Sequence, residues 1–564
     1  LPAIVLAAVT LAVACTEEPA PGAPPDSRTV DEMARAVGTD VVEHVARGYR
    51  DVLSGEIAVV PEPWNVLGQW NEGVRGPRDP RTTHASPWTY HQRVPLFLYG
   101  PGFIRSGVRS DRSVDVADLA PTFAELLGMQ FPTPESEPLR EALLPEGRRA
   151  DRPAAIVLVV YDGGGWNVLE RWPDAWPEER RLAFDGTAYT NATVGSAPAI
   201  TAPVHANMGT GVYPEDHGLP ENTARRPDGE IAEIYFHEHD PQLLLEETVA
   251  DVWDREQGNR PWVGLVGFES WHLGMMGHGA AIPGGDRDVA ALWNRDENEY
   301  WINEDIYSFP EPFPETLDRH LSGLDASDGA RDGEWRGNDL TNDFLVPGTP
   351  AFVSWLRDIV RSLMENSPIG RDDLTDMLFV EMKSTDYGGH IWNMLRPHQA
   401  EILTAQDRLL GEVRDLLDVR VGRGRYVIAV TADHGQTPIP EERGGLRIDR
   451  YLLEESIEGY FGADIVETIH PSEIFLNRAA MQQEGIAWAE VARYVGDVRY
   501  RDLVPEGTDP AWVRDRLDDR VFAAAFPGDY LQSITGTELE DLGPGNYPEG
   551  DLSTPPRYDD LLEL

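Results

Sequence analysis

Four short apolar runs punctuate the chain: residues 94–99 (VPLFLY), 156–161 (IVLVVY), 377–382 (MLFVEM) and 426–430 (YVIAV). None alternates strictly between apolar and polar positions. Each therefore predicts a strand covered on both faces, as in the parallel sheets of α/β proteins. Apolar residues recur at helical spacing over 116–127, 204–209, 351–365 and 398–417, predicting helices. An α/β fold follows, with a central, mostly parallel sheet between helices. The Trp-, Tyr-, Gly- and Pro-rich stretch 222–371, with acidic loops such as 325–334, predicts an inserted cap over the sheet edge. Residues 130–152, rich in Pro and charge, predict a linker, and 441–564 an irregular accessory region of the core. No short-period repeat is visible, which excludes solenoids and propellers.

Composition changes this picture at the N-terminus. Residues 1–14 form an apolar run that ends in Ala-Val-Ala directly before Cys15, the only cysteine. The run is too short to span a bilayer and suits the apolar region of a signal peptide. It is similar to the lipobox of bacterial lipoproteins, although Ala12 departs from the usual Leu. The expectation is an exported protein, periplasmic or at the cell surface, lipid-anchored at Cys15. Ordinary export with cleavage after Ala14 is the alternative. Residues 16–28 complete a 1–28 signal segment and tether. One cysteine excludes an intrachain disulfide. The formal charge of -49, from 97 Asp and Glu against 48 Lys and Arg, disfavours binding to duplex nucleic acid or anionic lipid. Lys383 is the only lysine.

Three of the four runs end in metal-ligand residue types: Asp162; Asp386 with His390; and Asp433 with His434. Ligands bind beyond the carboxyl ends of strands in open α/β sheets, so these residues can converge although they are far apart in sequence. A lone Asp after a strand is ordinarily a turn or cap residue. Three strand ends carrying Asp or Asp/His point to a metal site. The candidate nucleophile is Thr201, two residues before Pro203 in APAITAPVH, where a helix N-terminus would favour an anion. The structural alternative for Thr201 is a helix N-cap.

The segments YDGGG (161–165), TAPVHANMGTGVYPEDHGL (201–219), STDYGGH (384–390) and TADHGQTP (431–438) occur in that order. Together they resemble the nucleotide pyrophosphatase/phosphodiesterases and related threonine-dependent alkaline phosphatases of the alkaline phosphatase superfamily. The resemblance implies an alkaline phosphatase-like sandwich and two zinc ions, with manganese or iron also tolerated by the ligand types. Asp162, Thr201, Asp433 and His434 would surround one ion, and Asp386 and His390 the other. The family's last metal histidine is missing downstream, where His470 lies in a different context. TTHASP (82–87), VPLFLYGPGF (94–103) and VDVADLAPTFAELLG (114–128) resemble the family's closing segment instead. His84 is thereby implied as the remaining ligand. The chain is expected to be circularly permuted: a closing part at 45–129, the linker, a nucleophile-bearing core at 153–221, and the metal motifs at 372–440.

The resemblance further implies a phosphoester hydrolase acting through a covalent Thr201 intermediate on a small phosphoester or nucleotide, with Asn222 donating to a phosphate oxygen. Asn222 also reads as a loop-turn residue. His272 and His278 read as packing residues, with contact to substrate or a third ion as the alternative. No Lys or Arg stands in their segment, where monoesterase relatives present both to phosphate. That favours diester or pyrophosphate cleavage over monoester cleavage, with Arg225, Arg226 or, more weakly, Lys383 as substitutes. Thr201 argues against sulfatase chemistry. The non-enzymatic alternative is a cell-surface binding lipoprotein that keeps the fold. Oligomeric state is not legible.

Overall fold

The structure is a computed structural model and describes residues 27–68, 81–235, 240–294, 299–314, 317–503, 514–535, 542, 543 and 545. The expected signal segment and Cys15 lie outside the described residues. No helix among the described residues is long and apolar enough to cross a membrane.

A ten-stranded sheet organises the molecule. In chain order its strands are β1 (Arg93–Tyr99), β2 (Val108–Ser110), β3 (Val114–Asp115), β4 (Ala155–Val160), β5 (Thr187–Thr193), β6 (Val263–Phe268), β7 (Val289–Asn294), β8 (Glu299–Trp301), β9 (Asp376–Glu381) and β10 (Tyr426–Thr431). Their spatial order is β8-β7-β6-β9-β4-β10-β1-β5-β2, with β3 also against β5. The stretch β7-β6-β9-β4-β10 is entirely parallel. The neighbouring β1 runs antiparallel to both β10 and β5.

All four expected strands form, and both faces of the sheet are covered, as the unbroken apolar runs require. In β4, Val157 and Val159 pack among residues of helices α3 (Pro350–Asn366) and α5 (Pro397–Leu417). The alternate residues Ile156, Leu158 and Val160 pack among residues of α1 (Leu119–Leu127) and α2 (Thr201–Thr210). The expected helices fall in α1, α2, α3 and α5. A short helix α4 (Ser384–Trp392) follows β9.

The 222–371 stretch departs from the expected cap. It contributes β6, β7, β8 and α3 to the sheet and its covering layer, because segments such as VGLVGF are apolar on both faces and belong inside. Residues 130–152 are likewise not a free linker. Leu139, Ala142 and Leu143 are buried in the core beside α1, and Ile104 bridges Leu143. The C-terminal region forms a separate antiparallel sheet in the order Val466–Ile469, Glu473–Leu476, Ile57–Pro61, Phe522–Pro527. Its third strand comes from the N-terminal segment, so both ends of the chain close one unit.

Leu158, 1% exposed at the centre of β4, tests this packing. Leu158→Ala should destabilise by about 2–5 kcal/mol through lost burial and the cavity left behind. Val419→Ala, at an 84% exposed position, should change stability by no more than about 0.5 kcal/mol. Comparing the thermal midpoints of the two variants with the parent checks this.

Candidate active site

The parallel strands β4, β9 and β10 point their carboxyl ends the same way, and Asp162, Asp386 and Asp433 follow them within a few residues. Because β1 is antiparallel to β10, its beginning lies at that same edge: Thr431 pairs with Leu96. Residues just before β1 therefore arrive at the site. The segment is knitted in place by Gly435 N donating to the His91 carbonyl at 2.9 Å, Thr82 Oγ1 donating to the Thr437 carbonyl at 3.1 Å, and Thr431 Oγ1 donating to the Pro95 carbonyl at 2.7 Å. β5 exits at the same edge and leads to α2.

The YDGGG glycines are steric requirements. A Cβ on Gly163, at φ +67°, would lie 2.9 Å from Asp386 Cα, and one on Gly165 would lie 2.5 Å from Gly435 Cα. Bare backbone lets the three loops meet, and Gly163 N donates to Asp433 Oδ1 at 2.9 Å.

Two clusters result. Asp162, Asp433 and His434 form the first, and His84, Asp386 and His390 the second. His434 Nε2 lies 3.5 Å from Asp162 Oδ1 and 3.4 Å from Asp433 Oδ2. Asp386 Oδ1 lies 3.4 Å from His84 Nε2 and 3.2 Å from His390 Nε2. Donor atoms held around 2.1 Å from a tetrahedral cation stand about 3.4 Å apart, so these spacings fit shared coordination.

The rings are oriented for it. Nδ1 of His84, His390 and His434 each faces a backbone carbonyl, of Ala199 at 2.9 Å, Thr82 at 2.7 Å and Gly435 at 2.9 Å. A carbonyl only accepts, so Nδ1 carries the proton and Nε2 presents a lone pair to the carboxylates. Asp162 Oδ1, Asp433 Oδ2 and His434 Nε2 are buried without a hydrogen-bond partner. Ala85, immediately after His84, is held at φ +110°, backbone strain of the kind that collects at functional sites.

Thr201 is the first residue of α2. Ile200, not Thr201, is the N-cap, and the Thr201 side chain is turned into the site. Its Oγ1 lies 3.1 Å from Lys383 Nζ, which also donates to Asp162 Oδ2 at 2.8 Å and pairs with Asp386 Oδ2 at 2.9 Å. The only lysine of the chain thus bridges the two clusters and the hydroxyl. A compact ammonium with three protons matches three acceptors there; a planar guanidinium does not. Burial opposes its charge, but Asp162, Asp386, Asp433 and Glu381 hold it well above the usual lysine range. Burial, with the charge of Asp162, pushes Asp433 well above the carboxylate range. Burial pushes Glu381 up likewise. The site carries more negative charge than one lysine balances, as expected of a cation site. Burial keeps His84 well below the usual histidine range, leaving its ring neutral as a ligand must be.

The remaining candidates separate cleanly. Asn222 Oδ1 accepts from Ala202 N at 3.0 Å, which places it beside Thr201. His278 is structural: Asp251 and the Leu244 carbonyl occupy both ring nitrogens. His272, expected to be packing, instead reaches Asp162 Oδ2 at 3.4 Å. Arg225 is no phosphate clamp, being held by Glu56 and Glu467 beside the second sheet. Arg226 donates to the Glu233 carbonyl. His470 stands at a turn of that sheet, 3.5 Å from Glu221. Lys383, Glu381 and His205 were undervalued or missed. The signal for Lys383 was its uniqueness among 48 basic residues.

The chain is similar to alkaline phosphatase PafA of Elizabethkingia meningoseptica, at 23% identity over 50% of this chain and 60% of that protein. It is also similar to alkaline phosphatase PhoV of Synechococcus elongatus, at 23% identity over 51% and 60%, and to a protein named calcium-transporting ATPase from Myroides odoratus, at 23% over 61% and 72%. It thus spans about 60% of the length of the two phosphatases. A crystal structure of PafA shares the fold, with a TM-score of 0.50 and 19% identity over 62% of this chain and 76% of that one. The sequence profile of the type I phosphodiesterase / nucleotide pyrophosphatase family matches residues 156–530, well over half of the chain, and the chain belongs to that family.

Proposed function

We propose that this chain hydrolyses phosphoesters through a covalent intermediate on Thr201, at a site holding two divalent metal ions, with zinc as the preferred metal. The observation that carries the reading is the position of Thr201 Oγ1, on the ammonium that ties Asp162 of one cluster to Asp386 of the other. Asp162, Asp433, His434 and Thr201 would hold one ion, and His84, Asp386 and His390 the other. Bound ions would lower the pKa of the threonine hydroxyl and neutralise phosphate charge.

In the first half-reaction Thr201 Oγ1 bonds to phosphorus as the bond to the leaving oxygen breaks. The leaving group departs with that electron pair, and the hydroxyl proton is lost to solvent. Water then attacks phosphorus, the bond to Oγ1 breaks, and Thr201 regains a proton. Lys383 favours the ionised hydroxyl through its fixed charge; with all three protons committed, it positions the nucleophile rather than clamping substrate. Asn222, its carbonyl oxygen occupied by Ala202 N, has its amide protons available for a phosphate oxygen. With Arg225 engaged elsewhere and Lys383 saturated, neither supplies the paired cations suited to a monoester dianion. Phosphodiesters or pyrophosphates are the favoured substrates. The alkaline phosphatase names of the relatives support monoester cleavage as the second reading.

We also read the chain as circularly permuted. Two facts support this: His84 completes a metal cluster from the N-terminal side, and the family match begins only at residue 156.

Three outcomes test these readings. Thr201→Ala should lower turnover of bis-p-nitrophenyl phosphate and p-nitrophenyl phosphate by roughly 10³-fold or more, with Thr201→Ser partly active. Unchanged turnover would remove Thr201 from the mechanism. His84→Ala should weaken retention of one of the two ions about tenfold or more, measured by metal analysis after dialysis. Full retention would take His84 out of the site and deprive the permutation of its main support. Lys383→Met should move the rising limb of the pH–rate profile to higher pH, because losing a positive charge raises the pKa of the hydroxyl; a limb at the same pH would contradict its positioning role.

A further inference from the structure

A separate group of carboxylates lies at the opposite edge of the main sheet. The two metal clusters stand beyond the carboxyl ends of β4 and β9. Asp286 and Asp288 instead come just before β7, which runs parallel to those strands through β6. They therefore sit at the amino edge. Asp254 reaches them from the last turn of the helix Val249–Glu256. Asp254, Asp286 and Asp288 each bring an oxygen within 4.8 Å of the other two. None of the three belongs to the clusters described above.

Asp254 points to a ligand on grounds beyond this proximity. It is 4% exposed, and its Oδ1 is buried with no hydrogen-bond partner among the described residues. A buried carboxylate oxygen without a donor is costly, and in the last turn of a helix it also faces the negative end of the helix dipole. Asp288 is buried beside it, whereas Asp286 is open to solvent. Burial, with the charges of Asp286 and Asp251, pushes Asp254 up to about 7. Burial, with the charges of Asp254, Asp251 and Asp286, pushes Asp288 well above the carboxylate range.

The nearby cations are engaged elsewhere. Arg255 pairs with both carboxylate oxygens of Glu247, and Arg287 donates to the Glu304 carbonyl at 3.0 Å. Asp251 is committed to Thr248 and His278. The backbone nevertheless fixes the acidic turn in place. Asn259 Nδ2 donates to the Gly284 carbonyl at 3.0 Å, Ser308 N to the Asp288 carbonyl at 2.7 Å and Ser308 Oγ to the Arg287 carbonyl at 3.1 Å. Three carboxylates are thus held together with no ion pair to balance them among the described residues.

We propose that Asp254, Asp286 and Asp288 bind a calcium ion that clasps the helix Val249–Glu256 to the start of β7. The donor set is all oxygen, which suits a hard cation rather than zinc. Oxygens about 2.4 Å from one calcium ion stand no more than about 5 Å apart, in keeping with the spacing here. Three carboxylates with an open side for water favour Ca2+ over Mg2+, which demands a tighter octahedron and is ordinarily held by one or two carboxylates. The ion closes the segment between Asp254 and Asp286, which contains β6 and His272. Its role is structural and does not rest on the two-metal reading.

The test is to titrate CaCl2 into the full chain kept replete with Zn2+, following heat of binding by calorimetry and the thermal midpoint by melting. The parent should bind one Ca2+ with a Kd at or below about 1 mM, and its midpoint should rise by a few degrees. Asp286→Asn and Asp288→Asn should each weaken binding about tenfold or more and lose that rise. Both should melt no lower than the parent without Ca2+, because each removes one repelling charge; a lower melt would show that the carboxylates are balanced within the protein and overturn the site. Absence of binding to the parent at millimolar Ca2+ would mean that shared protons satisfy the group, and would overturn it as well. Binding that persists unchanged in both variants would place the ion elsewhere. An equal rise with MgCl2 would overturn the assignment to calcium.

Discussion

Four carboxylates, Asp162, Glu381, Asp386 and Asp433, are buried together at the carboxyl edge of the sheet against one lysine. An unpaired ion in a protein interior costs several kcal/mol, so this concentration either keeps protons, as the raised Asp433 and Glu381 favour here, or takes further positive charge among the side chains. That requirement explains the rest of the site. It accounts for neutral imidazoles anchored through Nδ1 with Nε2 turned inward, for buried oxygens with no donor, and for an ammonium shared between clusters. A site of neutral polar residues would need none of these.

The fold delivers these groups by strand direction. Parallel β4, β9 and β10 each end at one edge, which accounts for Asp162, Asp386 and Asp433. The antiparallel β1 begins at that edge, which accounts for His84. One reversal in an otherwise parallel block therefore lets a residue from early in the chain complete a site built from the middle. The N-terminal strand Ile57–Pro61 does the same for the second sheet, where it pairs with Glu473–Leu476 and Phe522–Pro527.

Much of this was legible in the sequence where one signal dominated. The unbroken runs IVLVVY and YVIAV could only be doubly covered strands, and the acidic or Asp-His residues following them marked the edge. The N-terminal position of His84 was read from its flanking motifs. The cap expectation failed because VGLVGF and VAALWN are short, with glycine or polar interruptions, and sit in a stretch whose composition resembles loops. β5 (TAYTNAT) is half polar and gave no apolar run at all. His272 reads in the sequence as a packing residue. Its Nε2 meets Asp162 Oδ2 at 3.4 Å, a contact between distant segments that has no signature in local pattern. Lys383 stood in the sequence only as a weak phosphate-binding substitute, when its rarity was the informative feature.

The central claim is that Thr201 carries the phosphoryl group between the two half-reactions. Acid-quenching the metal-replete enzyme during turnover of a phosphoester, followed by peptide mass spectrometry, addresses it most directly. The account predicts a phosphoryl or substituted phosphoryl adduct on the peptide containing Thr201, localised to its hydroxyl and absent without substrate. An adduct on another side chain, or inversion of configuration at a chiral phosphorus with no adduct under single-turnover conditions, would contradict it.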